Sequence, residues 1–134
     1  MDGSTQTFAE LRDIMVDQHV AARGIRDERV LNALRAVPRE EFVPDMLREF
    51  AYEDSPLPIA EGQTISQPYI VALMIDALDL HGGENVLEIG AGSGYAAAVL
   101  AQIAAHVTAV ERLETLAAQA AARLADLGIE NATI

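Results

Sequence analysis

Between Asn85 and Ala96 the chain reads NVLEIGAGSGYA, a short apolar run that ends in an acid and opens into three glycines spaced by single residues. Val86, Leu87 and Ile89 fit a buried parallel strand, and Tyr95 to Ala105 fits the helix that follows it. Gly90, Gly92 and Gly94 then fall in the strand-to-helix turn at the carboxyl end of a sheet, where open α/β folds bind their ligands. Glycine serves such a turn twice over. It takes positive φ without strain, and it presents a backbone that a ligand can approach without meeting a Cβ. The order of elements therefore predicts an α/β fold with a cofactor loop.

The flanking pattern extends this reading. A strand at 85–89, a helix at about 94–105, a strand from Val107 to Glu111, a helix at about 113–127 ended by Gly128 and a strand at 132–134 give βαβαβ and a parallel sheet. Upstream, Thr7-x-x-Glu10 forms a capping box, opening a helix with Phe8, Leu11, Ile14 and Met15 on one face and Gly24 beyond its end. Asp27 caps a second helix carrying Val30, Leu31, Leu34 and Val37, which Pro38 stops. Residues 38–68 hold all five prolines and read as irregular, with one short helix around Pro44 to Phe50. Pro68 then starts a helix through Leu80 that should bury Ile70, Val71, Met74, Ala77 and Leu78, and Gly82 and Gly83 close it.

Two regions result: residues 1–83, helical and irregular, and residues 84–134, the first half of a doubly wound sheet. In a complete sheet the 85–89 strand would be central, whereas here it falls at an edge, leaving an apolar face and unpaired backbone groups exposed. The expectation is a fragment, or a subunit that needs a partner chain to complete the sheet.

Composition narrows the partners. The chain has 134 residues, enough for one domain with a core, and no cysteine, which excludes disulfides and thiolate metal sites. His19, His81 and His106 show no metal-ligand spacing with neighbouring acids. No apolar run approaches the roughly 20 residues of a membrane span, and the start lacks the regions of a signal peptide, so a soluble cytoplasmic protein is expected. A net charge of −12 argues against nucleic acid, whose phosphates require basic surface. Residues 51–134 hold 2 arginines against 11 acids, a field that suits a cationic ligand, although a solvated surface is the simpler account. Arg23, Arg26, Arg29, Arg35 and Arg39 are expected to form helix ion pairs with Asp27, Glu28, Glu40 and Glu41.

Which cofactor the loop takes depends on its neighbours. The dinucleotide fingerprint G-x-G-x-x-G places its last glycine where this chain has Tyr95, which suits a cofactor without a pyrophosphate over the helix start. Glu111, 21 residues after Gly90, lies at the spacing from which a carboxylate meets ribose hydroxyls. Glu88 precedes the glycines and can accept hydrogen bonds from loop amides or from a cofactor ammonium group. Two acids in this arrangement favour S-adenosylmethionine over NAD. Tyr95 either packs on the cofactor or fills the core.

Three segments, RGIRDERVLNALRAVPREEFVP at 23–44, AYEDSPLPIAEGQTISQPYIVALM at 51–74 and VLEIGAGSGYAAAVLA at 86–101, closely resemble protein-L-isoaspartate O-methyltransferases. The resemblance runs from about Leu11 to the end, and its GQTIS segment is far more specific than the glycine loop. Ala60 stands where the family often has glycine, and Ala91 where threonine or serine is common. The resemblance implies a Rossmann-like class I methyltransferase fold, incomplete here. It also implies methyl transfer from S-adenosylmethionine to the free α-carboxylate of isoaspartyl residues in damaged proteins or peptides. By the same resemblance, Ser66 is the catalytic serine, and Thr64, Gln67, Glu88, Gly90, Gly92, Gly94 and Glu111 bind the cofactor. The family's later motifs have no counterpart here. From position alone, the commoner role for Ser66 is to cap the helix begun by Pro68, and the two roles are compatible.

Overall fold

A computed structural model describes residues 6–134; the first five, on which part of the leader reading falls, lie outside the described residues. Helix α1 (Phe8–Met15) starts at the expected capping box, in which Glu10 N–H donates to Thr7 Oγ1 and Thr7 N–H to the Glu10 carboxylate. It widens into a π turn over Val16–Val20 and a 3-10 turn over Ala21–Arg23, and ends at Gly24 with φ of 111°. Helix α2 (Glu28–Ala36) is capped by Asp27, whose side chain accepts from Arg29 N–H, and it buries Val30, Leu31, Ala33 and Leu34. The proline-rich stretch is more ordered than its sequence predicts. It holds 3-10 turns at Arg39–Phe42 and Asp45–Phe50, and an antiparallel hairpin of β1 (Leu57–Pro58) and β2 (Thr64–Ile65). Strands of two residues carry too few positions to show alternation, so the hairpin left no periodic signal.

Helix α3 (Pro68–Ala77) begins at its proline as expected but buries a different face. Val71, Ala72 and Ile75 point into the core, whereas Ile70, Met74 and Leu78 are exposed, Met74 by 67%. The helix is apolar nearly all round, so its sequence could not say which side would be covered.

Strand β3 (Asn85–Ile89), helix α4 (Tyr95–Ala101), strand β4 (His106–Val110), helix α5 (Glu114–Asp126) and strand β5 (Ala132–Thr133) form the predicted βαβαβ unit. Its parallel sheet has the order β3-β4-β5, with Glu88 opposite Ala109 and Ile89 opposite Val110. Helix α4 is shorter than expected because Asn131 Nδ2 donates to the carbonyls of Ala101 and Ala104 and ends it there. The face carrying Val107 and Ala109 is buried, and the opposite face, carrying Leu87, Ile89, Thr108 and Val110, is open. Leu87 and Ile89 are therefore not buried as predicted; they are 62% and 75% exposed, on a strand that pairs on one side only. The apolar core is continuous from Met15 to Leu124, so the helices before residue 83 and the sheet unit pack as one body. Among the described residues no helix is long and apolar enough to cross a membrane.

Candidate active site

The carboxyl end of β3 delivers the glycine loop, and backbone bonds pin it at once. The N–H groups of Gly90 and Ala91 both donate to the Val110 carbonyl, at 2.8 and 2.9 Å, fixing the loop to the end of β4. Gly90, Gly92 and Gly94 all have positive φ, of 87°, 55° and 91°. They do two different jobs. A Cβ added at Gly90 or Gly92 would meet nothing within 4 Å, so these two keep the backbone bare toward open space. A Cβ at Gly94 would come within 3.3 Å of the Ala120 Cα and 3.1 Å of its Cβ, so this glycine lets α4 lie close against α5.

Side chains complete the brace. Glu111, just past β4, accepts from Gly92 N–H at 2.8 Å through Oε1 and from Leu113 N–H at 3.0 Å through Oε2. Those two N–H groups, Leu113's first, hold its carboxyl below the usual range. Arg123 of α5 donates to the Ser93 carbonyl at 3.0 Å, and the Ser93 hydroxyl accepts from Tyr95 N–H at 3.2 Å. Tyr95 fills the core rather than the ligand side: its ring is 1% exposed and stands edge-on to Phe42 at 5.6 Å.

Glu88 is the electrostatic anomaly. Burial, with the nearby Glu111 charge adding to it, pushes its carboxyl up to about 7, and Oε1 is buried with no hydrogen-bond partner. No loop amide meets it, contrary to one of the sequence expectations. A half-buried acid with a buried, unfilled acceptor oxygen is the group that a cationic ligand would satisfy.

Facing the loop is the segment that follows β2. Ile65 is buried, Ser66 is exposed, and the Ser66 carbonyl accepts from Arg39 Nη2 at 2.8 Å. The N-cap position of α3 is held by Gln67, without a side-chain hydrogen bond, so the capping role open to Ser66 in the sequence is not taken up. Three adjoining clefts surround the glycines. One of about 560 Å³ is lined by Thr64, Gly90, Gly92 and Glu111. A small one of about 80 Å³ lies between Ser66, Glu88 and Gly90. The third, about 480 Å³, runs from Ser66 and Glu88 along Met74, Leu87 and Ile89. Thr64, Ser66, Glu88, Gly90, Gly92 and Glu111 are thus brought together. Gly94 supports from behind, and Gln67 turns aside, its amide donating to Asp54 at 3.3 Å.

Sequence reasoning misplaced the arginines. Arg23 pairs with Asp54, Arg35 with Asp17, Arg12 with Glu40 and Arg48 with Glu41, while Arg39 is wholly buried. The expected local pairs did not form because 3-10 turns and loops, not continuous helix, carry most of these residues. Arg39 and Arg123, each holding a carbonyl beside the site, were missed. The flanking of Arg39 by Val37, Phe42 and Val43 was the available signal of burial.

The bare glycines and the orphaned acid fit a cofactor that brings positive charge to Glu88 and hydroxyls toward Glu111. Comparison with known proteins identifies the family. A family model described as protein-L-isoaspartate(D-aspartate) O-methyltransferase matches residues 10–134. Protein-L-isoaspartate O-methyltransferase 1 of Rhodopseudomonas palustris (strain HaA2) is 65% identical over 128 residues, covering 96% of this chain and 52% of the relative. A protein-L-isoaspartate O-methyltransferase of Methylorubrum extorquens (strain PA1) is 63% identical over 121 residues, covering 90% of this chain and 53% of its own. Among solved structures, a protein-L-isoaspartate O-methyltransferase superposes with a TM-score of 0.76 at 32% identity, over 95% of this chain and 41% of that one. A Plasmodium falciparum protein described as a member of the same enzyme class, solved with S-adenosyl-L-homocysteine, gives a TM-score of 0.77 at 27% identity, over 92% of this chain and 61% of that one. The chain spans about half the length of the curated relatives it matches. The chain belongs to the protein-L-isoaspartate(D-aspartate) O-methyltransferase family.

Proposed function

We propose that this chain carries the cofactor site and the catalytic serine of a methyltransferase acting on the free α-carboxylate of isoaspartyl residues in damaged proteins or peptides. The observation that carries the reading is the convergence of Ser66, the unpartnered Glu88 carboxylate and the bare backbone of Gly90 on one small cleft. S-Adenosylmethionine, when bound, supplies an electrophilic methyl on a positively charged sulfonium. Glu88 would take the cofactor's cationic end, the Gly90–Gly92 backbone would lie against it, Glu111 would offer its remaining lone pairs to the ribose, and Thr64 would close the cleft from β2. Gln67 would act only through the Ser66 backbone, since its side chain is engaged by Asp54. The division of labour follows the chain: residues 1–83 hold the acceptor, residues 84–134 the cofactor.

Little acid-base chemistry is needed. The acceptor carboxylate is already ionised at pH 7, so no general base must remove a proton. Its oxygen forms the new bond to the methyl carbon as the carbon–sulfur pair returns to sulfur, giving a methyl ester and a neutral thioether. The residues here have to align and exclude water, and Ser66 can hold the carboxylate by its hydroxyl. The support for a cytoplasmic setting is the cysteine-free composition, which suits a reducing compartment.

The test is transfer of label from S-adenosylmethionine to an isoaspartyl peptide by the full-length protein that carries this sequence, compared with its Ser66→Ala variant. Turnover that Ser66→Ala cuts by roughly 100-fold supports the reading; equal turnover in both removes Ser66 from it. A second reading, a non-catalytic cofactor-binding module completed by a partner chain, is favoured by the exposed Leu87 and Ile89 on the open side of β3. Calorimetric binding of the cofactor with no turnover in any complex would select it.

A further inference from the structure

Arg39 is the largest side chain fully withdrawn from solvent, and among the described residues no carboxylate pairs with it. Its partners are instead parts of the backbone and one ring. Nε donates to the Ala51 carbonyl at 2.7 Å and Nη2 to the Ser66 carbonyl at 2.8 Å. The guanidinium carbon lies 4.9 Å from the centre of the Tyr95 ring, and Tyr95 is the first residue of α4, directly after the glycines. Phe42, on the same 3-10 turn as Arg39, stands edge-on to that ring at 5.6 Å. One side chain thus touches both halves of the site from beneath.

Burying a guanidinium without a paired carboxylate is costly relative to an apolar residue of similar size. What an apolar residue cannot do is hold two carbonyls at a fixed angle while stacking on an aromatic face; the planar fork of arginine does all three. We propose that Arg39 is a positioning residue that sets the Ser66 segment at its working distance from the glycine loop. The inference rests on the reading above, in which Ser66 is the acceptor side and the glycines the cofactor side. It assigns to Arg39 a role in alignment and none in contact with substrate or cofactor.

The test compares the full-length protein with its Arg39→Lys, Arg39→Gln and Tyr95→Leu variants, using labelled S-adenosylmethionine and an isoaspartyl peptide. Lysine keeps the charge but not the fork. The expected result for Arg39→Lys is a kcat lower by about 10- to 100-fold per folded molecule, with cofactor Kd within about threefold of wild type. Amide hydrogen exchange should accelerate by about tenfold at residues 65–67 while residues 107–109 of β4 keep their protection. A lysine variant with full kcat per folded molecule overturns the proposal, as does exchange that rises equally in both segments. Should the Arg39 variants fail to fold, Tyr95→Leu leaves the guanidinium in place and removes its stacking face, along with the Phe42 edge contact; about a three- to tenfold fall in kcat at unchanged cofactor Kd is then expected, and an unchanged kcat overturns the proposal. Failure of the underlying reading shows separately, as a wild-type protein that binds cofactor without methylating the peptide. Exchange at residues 65–67 still decides the role of Arg39 in that case.

Discussion

Glu111 Oε1 accepts the N–H of Gly92 at 2.8 Å while Oε2 accepts the N–H of Leu113 at 3.0 Å, so one carboxylate ties the middle of the glycine loop to the start of α5. Both oxygens are thereby engaged before any ribose arrives. The acid named in the sequence as a ligand contact is first a brace. Glutamine in its place can accept only one of the two bonds, because its NH₂ group faces the other donor. Glu111→Gln is expected to weaken S-adenosylmethionine binding by about tenfold, close to 1.4 kcal/mol, as read by calorimetry. The lowered pKa also fixes a pH dependence: the brace contributes above the ordinary carboxylate range and is lost as pH falls through its folded pKa, so Glu111→Gln should lose less stability on acidification than wild type.

Glu88 has the opposite sign. Its pKa rises from 4.5 to about 7 on folding, so between those values the folded chain holds a proton that the unfolded chain has released. Stability contributed by this group therefore falls as pH rises across that window, by up to about 3 kcal/mol. Glu88→Gln should flatten that slope and, in urea denaturation without cofactor, be the more stable protein at pH 8. The same substitution should weaken S-adenosylmethionine binding about tenfold or more at pH 8, and should abolish the tightening expected in wild type as pH rises through about 7. Parallel stability profiles for the two proteins would contradict this assignment.

The glycines separate by experiment as they do by geometry. Gly94→Ala forces a Cβ against the backbone of Ala120 at a φ of 91°, and is expected to cost about 1–3 kcal/mol of stability in chemical denaturation. Gly90→Ala meets open space, so its cost should be about 1 kcal/mol, from φ alone, with its larger effect on cofactor affinity. Equal destabilisation by the two would remove the distinction between a packing glycine and a cradle glycine.

The βαβαβ order was legible because β3, α4, β4 and α5 are long enough to show their periods, and Gly94 stands before α4 and Gly128 after α5. The same signals could not say which apolar surfaces would be covered. Leu87 and Ile89 alternate as a buried strand does whether or not anything packs on them, and α3 is apolar on nearly every side. The site was legible through its glycines, Glu88 and the GQTIS segment. Its supports were not, because Arg39 and Arg123 act through carbonyls distant in sequence, and the apolar neighbours of Arg39 signal burial without naming its partner.

The central claim is most directly tested by offering the full-length protein two peptides of one composition, one with an isoaspartyl linkage and one with the ordinary aspartyl linkage, together with methyl-labelled S-adenosylmethionine. Label is expected only on the isoaspartyl peptide, as a base-labile ester at its α-carboxylate. Label on both peptides alike, or on neither while the cofactor binds, would contradict it.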